Sequence, residues 1–194
     1  METYRLFIAA ELPQNIKAEL AETQMRLRRA NLPVSWSSAG SMHLTLRFLG
    51  DASVALIPKL DQAMHAALAP HRAMALRLQA VGAFPNNRRP NVVWVGMSGA
   101  LSALQHAQAD IEGALGSLGI APDPRPFRPH LTLGRLRREA SPEQQRQLGD
   151  AIQSLQPPQS LEWVVERVVL FRSELHSSGP TYTEIVDCRL QIAD

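Results

Sequence analysis

The strongest constraint on this chain is a repetition: His-Leu-Thr-Leu stands at residues 43–46 and again at residues 130–133, an offset of 130 − 43 = 87. The same offset relates Phe7 to Trp94 and Phe84 to Phe171. One such coincidence means little, but several in one register point to an internal duplication. A chain of 194 residues has room for two small copies meeting near residue 90. Copies of this kind pack about a pseudo-two-fold axis, which lets equivalent positions face each other. The expectation is one duplicated domain over 1–194, with pseudo-repeats at about 1–89 and 90–194, that brings His43 and His130 together.

Periodicity supports the same division, because strand and helix patterns recur in one order. The first half reads as strand 4–9, helix 13–29, strand 43–49, helix 53–68 and strand 74–81. A turn-rich loop at 85–90 leads to a buried-strand run at 92–95, helix 101–118 and strand 130–136. Ser141 and Gln144 have capping-box spacing at the start of another helix, and strands follow at 163–171 and 182–190. The expected fold class is α+β: an internally duplicated, bilobal fold with two mainly antiparallel sheets, helices outside and a central groove.

Composition narrows the function. With 45% hydrophobic and 20% charged residues, the chain is not a disordered, collagenous or multi-pass membrane protein. The apolar stretch 6–10 is too short for a signal-peptide core and runs into Glu11, and a soluble, cytoplasmic protein is expected. A single cysteine, Cys188, excludes an intrachain disulfide and a four-cysteine zinc site. The net charge of +2 is too small for a nucleic-acid wrapper. Only Lys17 and Lys59 are lysines among the 20 basic residues, and arginine suits bidentate phosphate binding and base stacking.

On a strand, His and Thr two positions apart share a face, so His43 with Thr45 and His130 with Thr132 each project together. Two such strands facing across a groove supply two imidazoles and two hydroxyls. Histidine titrates near neutral pH, so one imidazole can act as base while the other acts as acid. The hydroxyls of Thr45 and Thr132 can donate hydrogen bonds to the non-bridging oxygens of a phosphodiester and stabilise charge building there. This chemistry uses no metal and no cofactor, and no acidic residue stands near either motif in the sequence. His65, His71 and His106 are expected on or beside helices without catalytic partners, and His176 in a polar loop over 173–179. A zinc hydrolase is the weaker reading, since two histidines alone make a poor site.

These residues resemble the two-histidine phosphoesterase superfamily, defined by paired His-x-Thr-x motifs, and within it the bacterial RNA 2',3'-cyclic phosphodiesterases (the 2'-5' RNA ligase family). The matching stretches are Arg5-Leu-Phe-Ile-Ala with Leu12-Pro13, His43-Leu-Thr-Leu-Arg-Phe-Leu-Gly50, Val92-Val-Trp-Val-Gly96, Arg125-Pro-Phe-Arg-Pro-His-Leu-Thr-Leu133 and Leu170-Phe-Arg-Ser173. The resemblance implies metal-independent hydrolysis of an RNA or nucleotide 2',3'-cyclic phosphodiester to a 2'-phosphomonoester, with 2'-5' ligation as the reverse direction. It implies His43 as proton donor and His130 as proton acceptor, a choice the near symmetry of the motifs does not make.

The resemblance also assigns Phe48 and Arg135, each five residues after its histidine, to the nucleobase. Strict alternation instead groups Phe48 with core-facing Leu44 and Leu46, so both orientations stay open. Arg128 and Arg172, beside the second motif and Phe171, are further phosphate-steering candidates. The expected partners are RNA ends or nucleoside 2',3'-cyclic phosphates, with no membrane contact and a monomer as the default. A non-catalytic nucleotide-binding or RNA-binding module using the same groove is the alternative, and turnover separates the two.

Overall fold

Nine strands and four α-helices form among residues 2–176 and 179–192, which the computed structural model describes. In chain order they are β1 (Thr3–Glu11), α1 (Gln14–Arg28), β2 (Val34–Trp36), β3 (His43–Ser53), α2 (Ile57–Leu68), β4 (Met74–Phe84) and β5 (Val92–Gly99). Next come α3 (Leu101–Ser117), β6 (Leu131–Leu136), α4 (Pro142–Ser154), β7 (Glu162–Val165), β8 (Arg167–His176) and β9 (Gly179–Arg189). The strands form two antiparallel sheets, ordered β3-β1-β8-β9 and β2-β6-β5-β4-β7. The α+β expectation with two antiparallel sheets therefore holds.

Each helix turns an apolar stripe onto one continuous core. Ile16 and Leu20 of α1, Leu60 and Met64 of α2, Leu104 and Ile111 of α3, and Leu148 and Ile152 of α4 all belong to it. The sheets contribute alternate residues, Leu6, Ile8 and Ala10 from β1 and Val93 and Val95 from β5. The opposite face of the first sheet carries a separate small cluster of Phe7, Ala9, Val169 and Phe171, with Tyr182 against it. Ser141 accepts from the Gln144 backbone while the Gln144 side chain accepts from the Ser141 amide, closing the capping box expected at the start of α4.

Three local readings change. Residues 92–95 are not a uniformly buried run, because Val93 and Val95 face the core while Trp94 lies on the other face. The segment 163–171 is two strands in different sheets: β7 pairs with β4, and β8 pairs with β1. Ser53 ends β3, and α2 begins at Ile57 after a short 3-10 turn. The three-residue strand β2 has too little pattern to be read from sequence.

We propose that the chain is a single internally duplicated domain. Its support is topological: β3-β1-β8 in one sheet and β6-β5-β4 in the other have the same neighbour order. Helices α1 and α3 start at Gln14 and Leu101, again 101 − 14 = 87 residues apart. The strand register differs by two residues from the sequence offset in one place. Phe7 stands opposite Phe48 and Phe171, and the residue opposite Arg135 and Phe84 is Val92 rather than Trp94. An even slip keeps every side chain on its face.

Candidate active site

Leu44 and Leu46 on β3, and Leu131 and Leu133 on β6, are buried in the shared core. Burying each such leucine contributes roughly 1.5–3 kcal/mol, and a one-residue slip would expose all of them. Alternation then forces His43, Thr45, His130 and Thr132 onto the face away from the helices, where all four are half-buried. Although they lie in different sheets, β3 and β6 touch each other.

Both strands break their alternation at the same place. Ala9 faces Thr45 and Ile8 faces Arg47, so Leu46 is an extra residue on β3; Trp94 faces Thr132 and Val93 faces Gly134, so Leu133 is extra on β6. Such a bulge reverses the parity of the residues beyond it. Phe48 therefore leaves the core side and is 50% exposed, and Arg135 is exposed at the matching position. The orientation left open by the sequence is thus resolved outward. Phe48 shares the histidine's face, since the Phe7 ring lies 5.8 Å from Phe48 and 4.6 Å from His43.

The residue displaced toward the core differs between the strands. Arg47 is buried on β3 and reaches Glu112 at 3.3 Å, Asp123 at 3.5 Å and the Ala121 carbonyl, tying the strand to α3 and the loop before β6. On β6 the position is Gly134, where an added Cβ would lie 2.8 Å from Val34 and 2.9 Å from the Ser35 carbonyl. Only glycine lets β2 approach there.

The two imidazoles have equivalent anchors. His43 Nδ1 lies 2.8 Å from the Ser41 carbonyl, and His130 Nδ1 lies 2.6 Å from the Arg128 carbonyl. A carbonyl only accepts, so Nδ1 carries the hydrogen in each ring and Nε2 is left as the reactive nitrogen. Aromatic rings hold both. Phe7 stacks on His43 and Tyr182 meets its edge at 5.3 Å, while Phe84 meets His130 edge-on at 4.9 Å and packs against Trp94. Gly82 gives the Trp94 ring its place, since a Cβ there would come within 2.4 Å of it.

Burial pushes His43 down to about 4, with Lys17 pushing the same way and the Ser41 bond opposing. His130 is also lowered by burial, with Arg135 adding to the effect and the Arg128 carbonyl opposing it. In the free protein both rings are therefore neutral at neutral pH, ready to accept at Nε2.

A cleft of about 370 Å³ adjoins His43, lined in part by Lys17, Ser38, Ser41, Tyr182 and Glu184. Here the structure corrects the expectation that no acidic residue stands near a motif: Glu11 pairs across the ladder with His43, and both Glu11 and Glu184 line the cleft. Arg167 neutralises them, lying 3.8 Å from Glu11 and ion-paired with Glu184. Tyr182, Phe7, Phe84 and Lys17 are site residues that sequence reasoning missed. Phe7 and Phe84 were visible in the repeat, but only as register markers.

Arg172 needs a second correction. It stands opposite Leu6, on the helix side of the first sheet, whereas its neighbour Phe171 stands opposite Phe7. Its guanidinium lies 4.0 Å over the Tyr4 ring and 2.9 Å from Glu174, so it does not point toward the histidines. Arg128 is exposed, and its observed contact with His130 is through the main-chain carbonyl. His65 pairs with Asp61 at 2.8 Å and His71 with Asp110 at 2.7 Å, while His106 is exposed on α3. His176 ends β8 rather than lying in a loop; residues 177–178 of that segment lie outside the described residues. Among the described residues no three His, Cys, Asp or Glu side chains are grouped to hold a metal ion, and no helix is long and apolar enough to cross a membrane.

Fold and site together define a two-sheet α+β protein with a bulged His-x-Thr strand in each sheet. The family model described as the 2'-5' RNA ligase superfamily matches residues 12–176, and the chain belongs to that superfamily. A Thermus thermophilus protein named RNA 2',3'-cyclic phosphodiesterase is 36% identical over 191 residues, covering 92% of this chain and 86% of the relative. A Methanothermobacter thermautotrophicus protein of the same name is 28% identical over 186 residues, covering 96% of this chain and 98% of the relative. The crystal structure of E. coli LigT complexed with 3'-AMP superposes with a TM-score of 0.75 at 26% identity, covering 97% of this chain and 99% of that one.

Proposed function

We propose that the chain is an RNA 2',3'-cyclic phosphodiesterase that opens a terminal cyclic phosphodiester to a 2'-phosphomonoester. The relatives' shared name and the 3'-AMP bound by LigT support a nucleotide or RNA-end substrate. The observation that carries the mechanism is the pair of imidazoles whose Nδ1 atoms both donate to carbonyls, leaving two Nε2 atoms for proton transfer.

The chemical steps use that geometry directly. His130 Nε2 takes a proton as water oxygen attacks phosphorus, and the P–O3' bond breaks. The 3' oxygen receives the proton that His43 Nε2 carries. Thr45 and Thr132 donate to the non-bridging oxygens, where charge builds in the transition state. His43 is neutral in the free protein at neutral pH, so the phosphodiester anion itself must raise its proton affinity on binding. Phe48 and Arg135 stack on the nucleobase, and Arg128 adds positive charge beside the second histidine. Ligation through a 2'-5' bond is not the reverse of this hydrolysis but the same ring opening, with a 5'-hydroxyl attacking phosphorus in place of water and the 3' oxygen again leaving with the proton from His43. A cytoplasmic location and a monomer belong to the same proposal.

Phosphorus NMR of the product formed from a nucleoside 2',3'-cyclic phosphate, with excess chelator present, tests the reading. The expected outcome is a 2'-phosphate at undiminished rate. A 3'-phosphate product would overturn the assignment of the leaving oxygen, and a rate restored only by added divalent metal would overturn the two-histidine mechanism.

A further inference from the structure

A second cleft, of about 410 Å³, opens where β6 runs into the turn before α4, lined among others by Asn91, Arg135, Arg137, Arg138 and Gln145. Arg135 belongs to this cleft and is also close enough to His130 to act on its charge, so one side chain links the cleft to the candidate active site. The adjoining loop carries Arg88 and Arg89. All five arginines are exposed, and none of them forms an ion pair among the described residues. The contrast with Arg47, Arg77, Arg125, Arg146, Arg167 and Arg172 is sharp, because each of those has an acidic partner.

The backbone that displays these cations is held in place. The Arg137 amide donates to the Pro33 carbonyl at 2.8 Å, and the Leu136 amide to the Asn91 carbonyl at 2.9 Å. Gln145 of α4 donates to both the Pro90 carbonyl and Asn91 Oδ1. The amides of Arg88 and Arg89 both donate to Asn86 Oδ1, closing the loop on itself. A fixed frame presenting unneutralised guanidiniums is suited to a polyanion and poorly suited to an apolar or cationic partner.

We propose that this cleft and the neighbouring loop bind the phosphates of the RNA strand that leads into the cyclic end, so that the protein grips an RNA chain rather than only its last nucleotide. The inference rests on the phosphodiesterase reading for the direction of the strand. A 2',3'-cyclic phosphate occupies the 3' terminus, and any further nucleotides extend on its 5' side. They must leave the histidines across a neighbouring surface, and Arg135 leads onto this one.

The test measures binding of a 5'-fluorescein decanucleotide RNA ending in a 2'-phosphate by anisotropy, at several salt concentrations, beside turnover of a cyclic mononucleotide. The Arg137→Ala/Arg138→Ala variant should bind the decanucleotide about tenfold more weakly. Its log–log salt slope should fall by about 1.4, from two lost single-strand phosphate contacts at ~0.7 each. Mononucleotide turnover should stay within twofold of wild type. A charge-matched control, Arg72→Ala/Arg189→Ala, removes two arginines near the far end of β4 and should leave binding unchanged. Wild-type affinity and salt slope in the Arg137/Arg138 variant would overturn the inference, and so would equal weakening in the control. Failure of the wild type to hydrolyse the mononucleotide would instead overturn the phosphodiesterase reading, while the binding comparison still decides the surface.

Discussion

On β3 the histidine lies between Phe7 and Tyr182, and the side chain that the bulge turns outward is Phe48. On β6 the histidine meets Phe84, and the side chain turned outward is Arg135. The bulge, the Nδ1 anchor and the leucine pair are the same in both strands. Only the surroundings differ: one half offers stacked rings and deeper burial, the other a cation and an arginine-lined cleft. Backbone geometry and the chemistry of the exposed face are therefore encoded separately here. The leucines and the bulge place a histidine, a threonine and one further side chain on an open face. The identity of that further side chain, Phe48 or Arg135, is where the two halves part, and in the proposed function it sets what each half recognises.

The largest effect should come from the shared part. His43→Ala and His130→Ala should each lower kcat for a cyclic mononucleotide by about 10²–10⁴-fold, with far-UV circular dichroism and Tm close to wild type. The shared anchor predicts losses of similar size in the two variants. Full turnover in either one would break the equivalence of the strands.

The unshared part should separate next. Removing a stacking partner costs about 1–3 kcal/mol per base, so Phe48→Ala and Arg135→Ala should each raise KM by roughly five- to a hundredfold with a smaller change in kcat. The Phe48 defect should be insensitive to salt, whereas the Arg135 defect should shrink as salt rises and screens the cation. Identical salt behaviour would mean that the two halves do not divide recognition as their chemistry indicates.

A smaller, directional effect concerns pH. Both free-enzyme imidazoles are lowered by burial, His43 to about 4. The proposed mechanism uses one protonated ring and one neutral ring, so kcat/KM should peak below about pH 6.5 and fall about tenfold per unit on the alkaline side. Bound phosphate raises proton affinity, and the kcat profile should therefore lie at higher pH than the kcat/KM profile. Lys17 pushes His43 down, so Lys17→Met should move the alkaline limb of kcat/KM upward. A kcat/KM optimum well above neutral pH would contradict the burial.

Much of the candidate site was legible because both its parts are local. Two His-x-Thr strands follow from period-2 alternation, and two leucines on each strand decide which face is buried. Phe48 was ambiguous for a physical reason: parity changes at Leu46, and the bulge depends on the pairing partner rather than on β3 alone. Tyr182 and Lys17 reach His43 from β9 and α1, elements distant in sequence that carry no motif. The split of residues 163–171 between sheets escaped for a similar reason, since Glu166 interrupts an otherwise even apolar strand pattern and only tertiary pairing divides it.

Arg172 supplies the smallest expected effect and the sharpest control on sidedness. It follows Phe171, a residue on the histidine face, so sequence proximity argues for a role in phosphate binding. Strand alternation argues the reverse, and the ladder agrees: Arg172 pairs across with Leu6 and lies over Tyr4 on the helix side. An exposed cation–π contact contributes about 0.5–1 kcal/mol. Arg172→Ala should therefore lower Tm slightly while leaving KM and kcat within twofold. Arg135→Ala, the same change of charge on the histidine face, should leave Tm nearly unchanged while raising KM. If Arg172→Ala instead raised KM as Arg135→Ala does, the sheet face would not be what separates substrate contacts from scaffold.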